Sequence, residues 1–70
     1  MQRFGEKMRV LRQRRGLTLR ELAPLLDITF SFISKLENGS QQPSAELIVK
    51  IARLFEVSTD KLMFDELELD

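Results

Sequence analysis

Apolar residues in this chain recur three and four positions apart in short runs, and each run is bounded by residues that cap or break helices. That pattern constrains the fold more than any other feature of the sequence. Phe4, Met8 and Leu11 form the first stripe, and Gly16 after the basic Arg14-Arg15 pair suits its end, so a helix is predicted from about Arg3 to Arg15. Thr18 followed by Glu21 is a capping box ahead of Leu22, Ala23 and Leu26, which begins a second helix. Asp27 tolerates a left-handed corner, and Thr29 can cap a third helix running to about Asn38, with Ile33 and Leu36 on one face and Gly39 at its stop. Ser40 to Pro43 is a polar loop. Ser44 then caps a helix carrying Ile48, Ile51, Ala52 and Phe55, and Ser58 caps a short last one carrying Leu62 with Met63 or Phe64. No segment is left for a strand, so the expectation is an all-α fold of five helices over residues 1–64 with an acidic tail, residues 65–70, that frays.

Composition narrows the function. Seventy residues make one domain, whose core supplies only about 3 to 5 kcal/mol. The chain has neither Cys nor His, so it lacks disulfides, thiolate metal sites and imidazole ligands or bases. No metal, no cofactor and no enzymatic role are expected; the adjacent Asp65-Glu66 pair sits in a tail without a cleft. MQRFGEKMRV has no apolar run of the signal-peptide kind, and no segment approaches the roughly 18 apolar residues of a membrane span, so a cytoplasmic protein without a membrane partner is expected. Net charge is zero, yet Arg3, Lys7, Arg9, Arg12, Arg14, Arg15 and Arg20 crowd the first twenty residues while acids dominate from Glu46 onward. A basic end and an acidic end follow, and the basic end suits a polyanion.

The join between the second and third helices is the informative constellation. A tight crossing needs a small residue, a corner residue and an apolar plug at fixed offsets, and Ala23, Asp27 and Ile33 stand there. Any compact helical hairpin can show that trio. The longer run GLTLRELAPLLDITFSFISKLENGSQQPS adds Gly16-Leu17-Thr18, Glu21-Leu22-Ala23, Ile33 to Gly39 and Pro43-Ser44 in order, and with these the chain resembles the Cro/C1-type helix-turn-helix family of phage repressors and bacterial regulators from about Phe4 to Phe64. The resemblance implies a five-helix lambda-repressor-like DNA-binding domain, with the helix-turn-helix formed by helices two and three. It further implies a sequence-specific transcriptional regulator, here expected to be a repressor, that binds a near-palindromic double-stranded DNA operator as a homodimer.

The residue chemistry agrees with that role. If Ile33 and Leu36 face inward, Thr29, Phe30, Ser31, Ser34 and Lys35 face outward near the start of the third helix. Lys35 can donate to guanine, Ser31 and Ser34 can donate or accept, and Phe30 suits a thymine methyl; by resemblance Phe30, Ser31 and Lys35 match the family's base-contacting positions. Phosphate contacts are expected from Thr18, Arg20, Thr29, Asn38, Ser40, Gln41 and Gln42. The resemblance also implies an ion pair between Arg12 and Glu37. Phe32 is expected to pack at the edge of the hairpin. Leu62, Met63, Phe64, Leu67 and Leu69 exceed what a short helix buries and are expected to form the dimer face.

Four positions depart from the family pattern, Pro24 among them. Leu19 replaces a phosphate-binding Gln, and Asp27 and Glu56 replace turn glycines. Pro24 lacks the N–H that would bond the Arg20 carbonyl, at a typical cost of about 3 kcal/mol, so a kink or a divided helix is expected there. A competing reading is a protein-interaction module, such as an antitoxin or anti-regulator, using Phe30 and Phe32.

Overall fold

Hydroxyl side chains start four of the helices: Thr18, Thr29, Ser44 and Ser58 each accept a hydrogen bond from the backbone N–H three residues on, satisfying a donor that the helix itself cannot. In the computed structural model, which describes residues 1–70, the helices are α1 (Phe4–Arg14), α2 (Leu19–Leu26), α3 (Phe30–Asn38), α4 (Ala45–Phe55) and α5 (Thr59–Met63), with no strand. Their bounds fall within a residue or two of those read from the stripes and caps. Asp27 (φ 57°) and Glu56 (φ 58°) end α2 and α4 in the left-handed region where glycine is the easier residue. Pro24 does not divide α2, which runs unbroken from Leu19 to Leu26. The capping box of Thr18 and Glu21 holds one end, Leu22, Ala23 and Leu26 are anchored in the core, and the Pro24 ring lies on the exposed side.

The stripes meet in one core. Phe4, Met8 and Leu11 of α1, Leu22, Ala23 and Leu26 of α2, Ile33 and Leu36 of α3, Leu47, Ile48, Ile51, Ala52 and Phe55 of α4, and Leu62 of α5 are all buried. At about 1.5 to 3 kcal/mol for each large apolar side chain, this burial is the main force opposing chain entropy. Gly5 sets the closest approach. A Cβ there would lie 2.5 Å from the carbonyl oxygens of both Leu36 and Glu37, so α1 touches the end of α3 backbone to backbone, and only a residue without a side chain fits.

The C-terminal residues correct the sequence reading in three ways. First, residues 65–70 lie back along α1 in place of extending into solvent. The Asp65 carboxylate accepts from the backbone N–H groups of Gln2 and Arg3, both at 2.9 Å, and the two donated bonds hold its pKa below the ordinary carboxylate value. Second, Leu62 is wholly buried and belongs to the core, not to a dimer face, and Leu69 is half-buried against that core. Third, the basic end is largely neutralised. Lys7 is 1% exposed, and its ammonium donates to the carbonyls of Lys61 (2.6 Å), Phe64 (2.8 Å) and Leu67 (2.6 Å). Arg3 pairs with Glu68 and Arg14 with Asp70, while Arg9 and Arg12 both hold Glu37. Folding therefore places much of the acidic end on the basic one, a pairing that linear charge counting could not foresee.

Candidate nucleic-acid interface

Helix α3 has two sides of opposite character. Ile33 and Leu36 are buried to 0% and 1% exposure, whereas Phe30, Ser31, Ser34 and Lys35 are exposed. Thr29 Oγ1 accepts from the Phe32 N–H at 3.1 Å, which fixes the start of the helix. Neither Ser31, Ser34 nor Lys35 uses its side chain within the protein, apart from bonds made by the Lys35 backbone carbonyl. The exposed row thus offers hydroxyl and ammonium donors with an aromatic face beside them, a set suited to base edges in a major groove.

The flanking groups sit around this row. Thr18, Arg20, Thr29, Asn38, Ser40, Gln41 and Gln42 are all exposed. Thr18 Oγ1 accepts from the Glu21 N–H while Glu21 accepts from the Thr18 N–H, and this bonding keeps the Glu21 pKa below its ordinary value. The reciprocal bonds leave the Thr18 hydroxyl proton free to donate outward. Asn38 Oδ1 accepts from the Ser40 N–H at 2.9 Å, so its amide NH2 is the group free to donate. Gln41 and Gln42 line a hollow beside Met1 and Gln2 at the end of α3. Leu19 is half-buried against the core and presents no polar group.

Glu37 ties the recognition surface to α1. Its side chain is only 3% exposed, and it accepts from Arg12 Nε at 2.8 Å, Arg12 Nη2 at 3.0 Å and Arg9 Nε at 3.3 Å. Arg12 also donates to the Leu17 carbonyl at 2.9 Å. The bond to Glu37 raises the Arg12 pKa, against the opposing effect of burial. A carboxylate held in this way by two guanidiniums is compensated, and it links α3 to α1.

Phe32 is half-buried against the core, as packing at the hairpin edge requires. Phe30 remains 40% exposed. The Arg20 guanidinium carbon lies 4.3 Å over its ring centroid. Reading along the sequence missed Gly5, Lys7, Arg9 and this stack. Lys7 had a signal, since it falls three residues after Phe4 and four before Leu11, on the buried stripe itself. Gly5 inside a helical run was the other. The stack joins residues ten apart and had none.

Five helices with a tight α2–α3 corner and an exposed polar face on α3 define a lambda-repressor-like helix-turn-helix domain. The helix-turn-helix family matches residues 8–62, and the chain belongs to its Cro/C1-type branch. The chain is 35% identical over 65 residues to the transcriptional repressor RghR of Bacillus subtilis, covering 91% of this chain and 48% of RghR. It is 36% identical over 63 residues to the transcriptional activator BcrR of Enterococcus faecalis, covering 90% of this chain and 31% of BcrR. The N-terminal DNA-binding domain of SinR from Bacillus subtilis superimposes with a TM-score of 0.84 at 26% identity, covering 97% of this chain and all of that domain. The chain therefore spans half or less of the length of both regulators and corresponds to a whole domain of the third. No helix is long and apolar enough to cross a membrane.

Proposed function

We propose that this chain is the sequence-specific DNA reader of a transcriptional regulator and acts as a repressor, binding a near-palindromic operator as a homodimer with α3 in the major groove. The observation that carries the reading is the exposed row of Phe30, Ser31, Ser34 and Lys35 on a helix whose opposite side is locked in the core. Thr18, Arg20, Thr29, Asn38, Ser40, Gln41 and Gln42 flank it as phosphate contacts. Residues 1–64 form the reading unit and residues 65–70 a strap on α1. In the cell its place is with the DNA, in the cytoplasm.

Met63, Phe64 and Leu67 are exposed near the C-terminus and are proposed as the dimer face, Leu62 and Leu69 serving the core instead. A two-fold axis through that face sets the recognition helices about 34 Å apart, one turn of B-DNA. On α2 and α3 the two cations, Arg20 and Lys35, are both exposed and outside salt bridges, as are Arg15, Lys50 and Arg53 elsewhere on the surface. Phe32 is withdrawn into the hairpin edge and one face of Phe30 lies under Arg20, which reduces the apolar patch that an antitoxin-like protein contact would use.

Footprinting on DNA upstream of the chain's own gene is the test. Protection of a short two-fold repeat, abolished by Lys35→Ala, supports the reading, and uniform weak binding to every sequence refutes it. Sedimentation of Phe64→Glu, expected to shift the species toward monomer, tests the dimer face separately.

A further inference from the structure

The stack of Arg20 on Phe30 has a geometry that a phosphate anchor does not require. Arg20 stands in the first turn of α2, and Phe30 is the first residue of α3. The guanidinium carbon lies 4.3 Å over the ring centroid, well inside the range for cation–π attraction. Arg20 makes no hydrogen bond or salt bridge within the chain, so all five of its N–H donors are unoccupied. Thr29 fixes the backbone under Phe30, and Phe30 fixes the guanidinium. A long side chain with much rotamer freedom to lose is thereby restrained before it meets a ligand.

Resting on the DNA reading above, but replacing the phosphate role proposed there for Arg20, we infer that Arg20 and Phe30 act as one specificity-determining unit that reads a guanine adjacent to a 5-methylpyrimidine, with Arg20 as base reader and not phosphate anchor. The chemistry selects that step. A guanidinium fork matches guanine O6 and N7 bidentately, the commonest specific contact in the major groove. The ring edge of Phe30 beside it has no polar group and suits the C5-methyl of thymine. The start of a recognition helix is the part that reaches base edges, and the stack carries Arg20 to that place from the neighbouring helix. Restraint alone would serve a phosphate equally well; it is the position of the stack at the start of α3, beside the row of base-facing side chains, that points to a base.

The test compares wild type, Arg20→Lys and Phe30→Leu in selections from a random duplex library, followed by titrations of the recovered site. Lysine keeps the charge but loses the fork, and leucine keeps apolar bulk but loses the ring. The wild-type site is expected to contain the guanine–thymine step in each half. Arg20→Lys is expected to relax preference for that guanine by about 5- to 100-fold, leaving the other positions and the salt slope unchanged. Phe30→Leu is expected to relax the same guanine. Replacing the adjacent thymine by deoxyuridine, which removes only the methyl, is expected to weaken wild type several-fold, and a 5-methylcytosine·guanine pair there is expected to bind more tightly than the unmethylated cytosine·guanine pair, equal binding in both comparisons overturning the methyl contact. Equal weakening of all sequences by Arg20→Ala, with a salt slope smaller by about one and no loss of preference in Arg20→Lys, overturns the inference and makes Arg20 a phosphate contact. A wild-type protein that enriches no sequence overturns the DNA reading itself. Matching thermal melts of all four proteins, Arg20→Ala included, exclude misfolding as the cause, since both side chains are exposed.

Discussion

Replacing Gly5 by alanine sets two effects of opposite sign against each other. Helix propensity favours alanine by about 0.8 to 1 kcal/mol in a helix interior, and Gly5 lies inside α1. Against this, the added Cβ would meet two backbone oxygens at 2.5 Å and the Glu37 carbonyl carbon at 2.9 Å, roughly 1 Å inside ordinary contact. Backbone atoms at the end of α3 cannot rotate away as a side chain would, so α1 must lift from α3. Overpacking of this kind costs about 1 to 3 kcal/mol, and the lift also loosens Arg9 and Arg12 from Glu37, whose carboxylate is too buried to lose its partners cheaply. The net expectation is a loss of about 2 kcal/mol from a domain with roughly 4 to 10 to lose. With a urea slope of about 1 kcal/mol/M, the unfolding midpoint falls by about 2 M. Operator affinity falls with it, because α3 is re-aimed. A Gly5→Ala protein as stable as wild type or more so would refute the backbone-contact account.

Three further outcomes follow from other contacts. Lys7→Met removes the ammonium shared by three carbonyls; about 2 to 3 kcal/mol of stability is lost, and hydrogen exchange at the Leu67 amide, bonded to the Phe64 carbonyl, accelerates. Pro24→Ala restores the missing bond to the Arg20 carbonyl on an exposed position and stabilises by about 1 to 3 kcal/mol, read as a higher melting temperature. In acid, Asp65, Glu68 and Asp70 all have pKa values lowered by their bonds to Arg3 and Gln2, to Arg3 and to Arg14. Their contribution is complete above the ordinary values of 3.8 for Asp and 4.5 for Glu, and is lost as pH falls through the lower folded values. Amide shifts of Gln2 and Arg3 followed by NMR through that range report the release, and no change there would refute it.

The contrast between what was legible and what was not is physical. Stripes such as Phe4, Met8 and Leu11, and caps such as Thr18 and Ser44, are local in sequence, so helices, corners and the inward side of α3 could be read directly. Exposure of Phe30, Ser31, Ser34 and Lys35 follows from the burial of Ile33 and Leu36 by geometry alone. Contacts over long separations have no such signature. Arg3 to Asp65, Lys7 to Phe64 and Arg9 to Glu37 arise only once α1, α3 and α5 have packed, and they reverse the meaning of the basic cluster. Leu62 was misjudged for a related reason: a five-residue helix has too few turns to show which side faces in.

The buried ammonium of Lys7 also orders events during synthesis. Its acceptors lie on residues 61, 64 and 67, so a nascent chain that has emerged only as far as α4 must leave that ammonium in water. At about 5 to 20 residues per second the ribosome needs only seconds to supply them. The seat of the first helix against α3 can form earlier, but its ammonium is satisfied only after residue 67 has been made, and a truncation before residue 61 leaves the chain without that fastening.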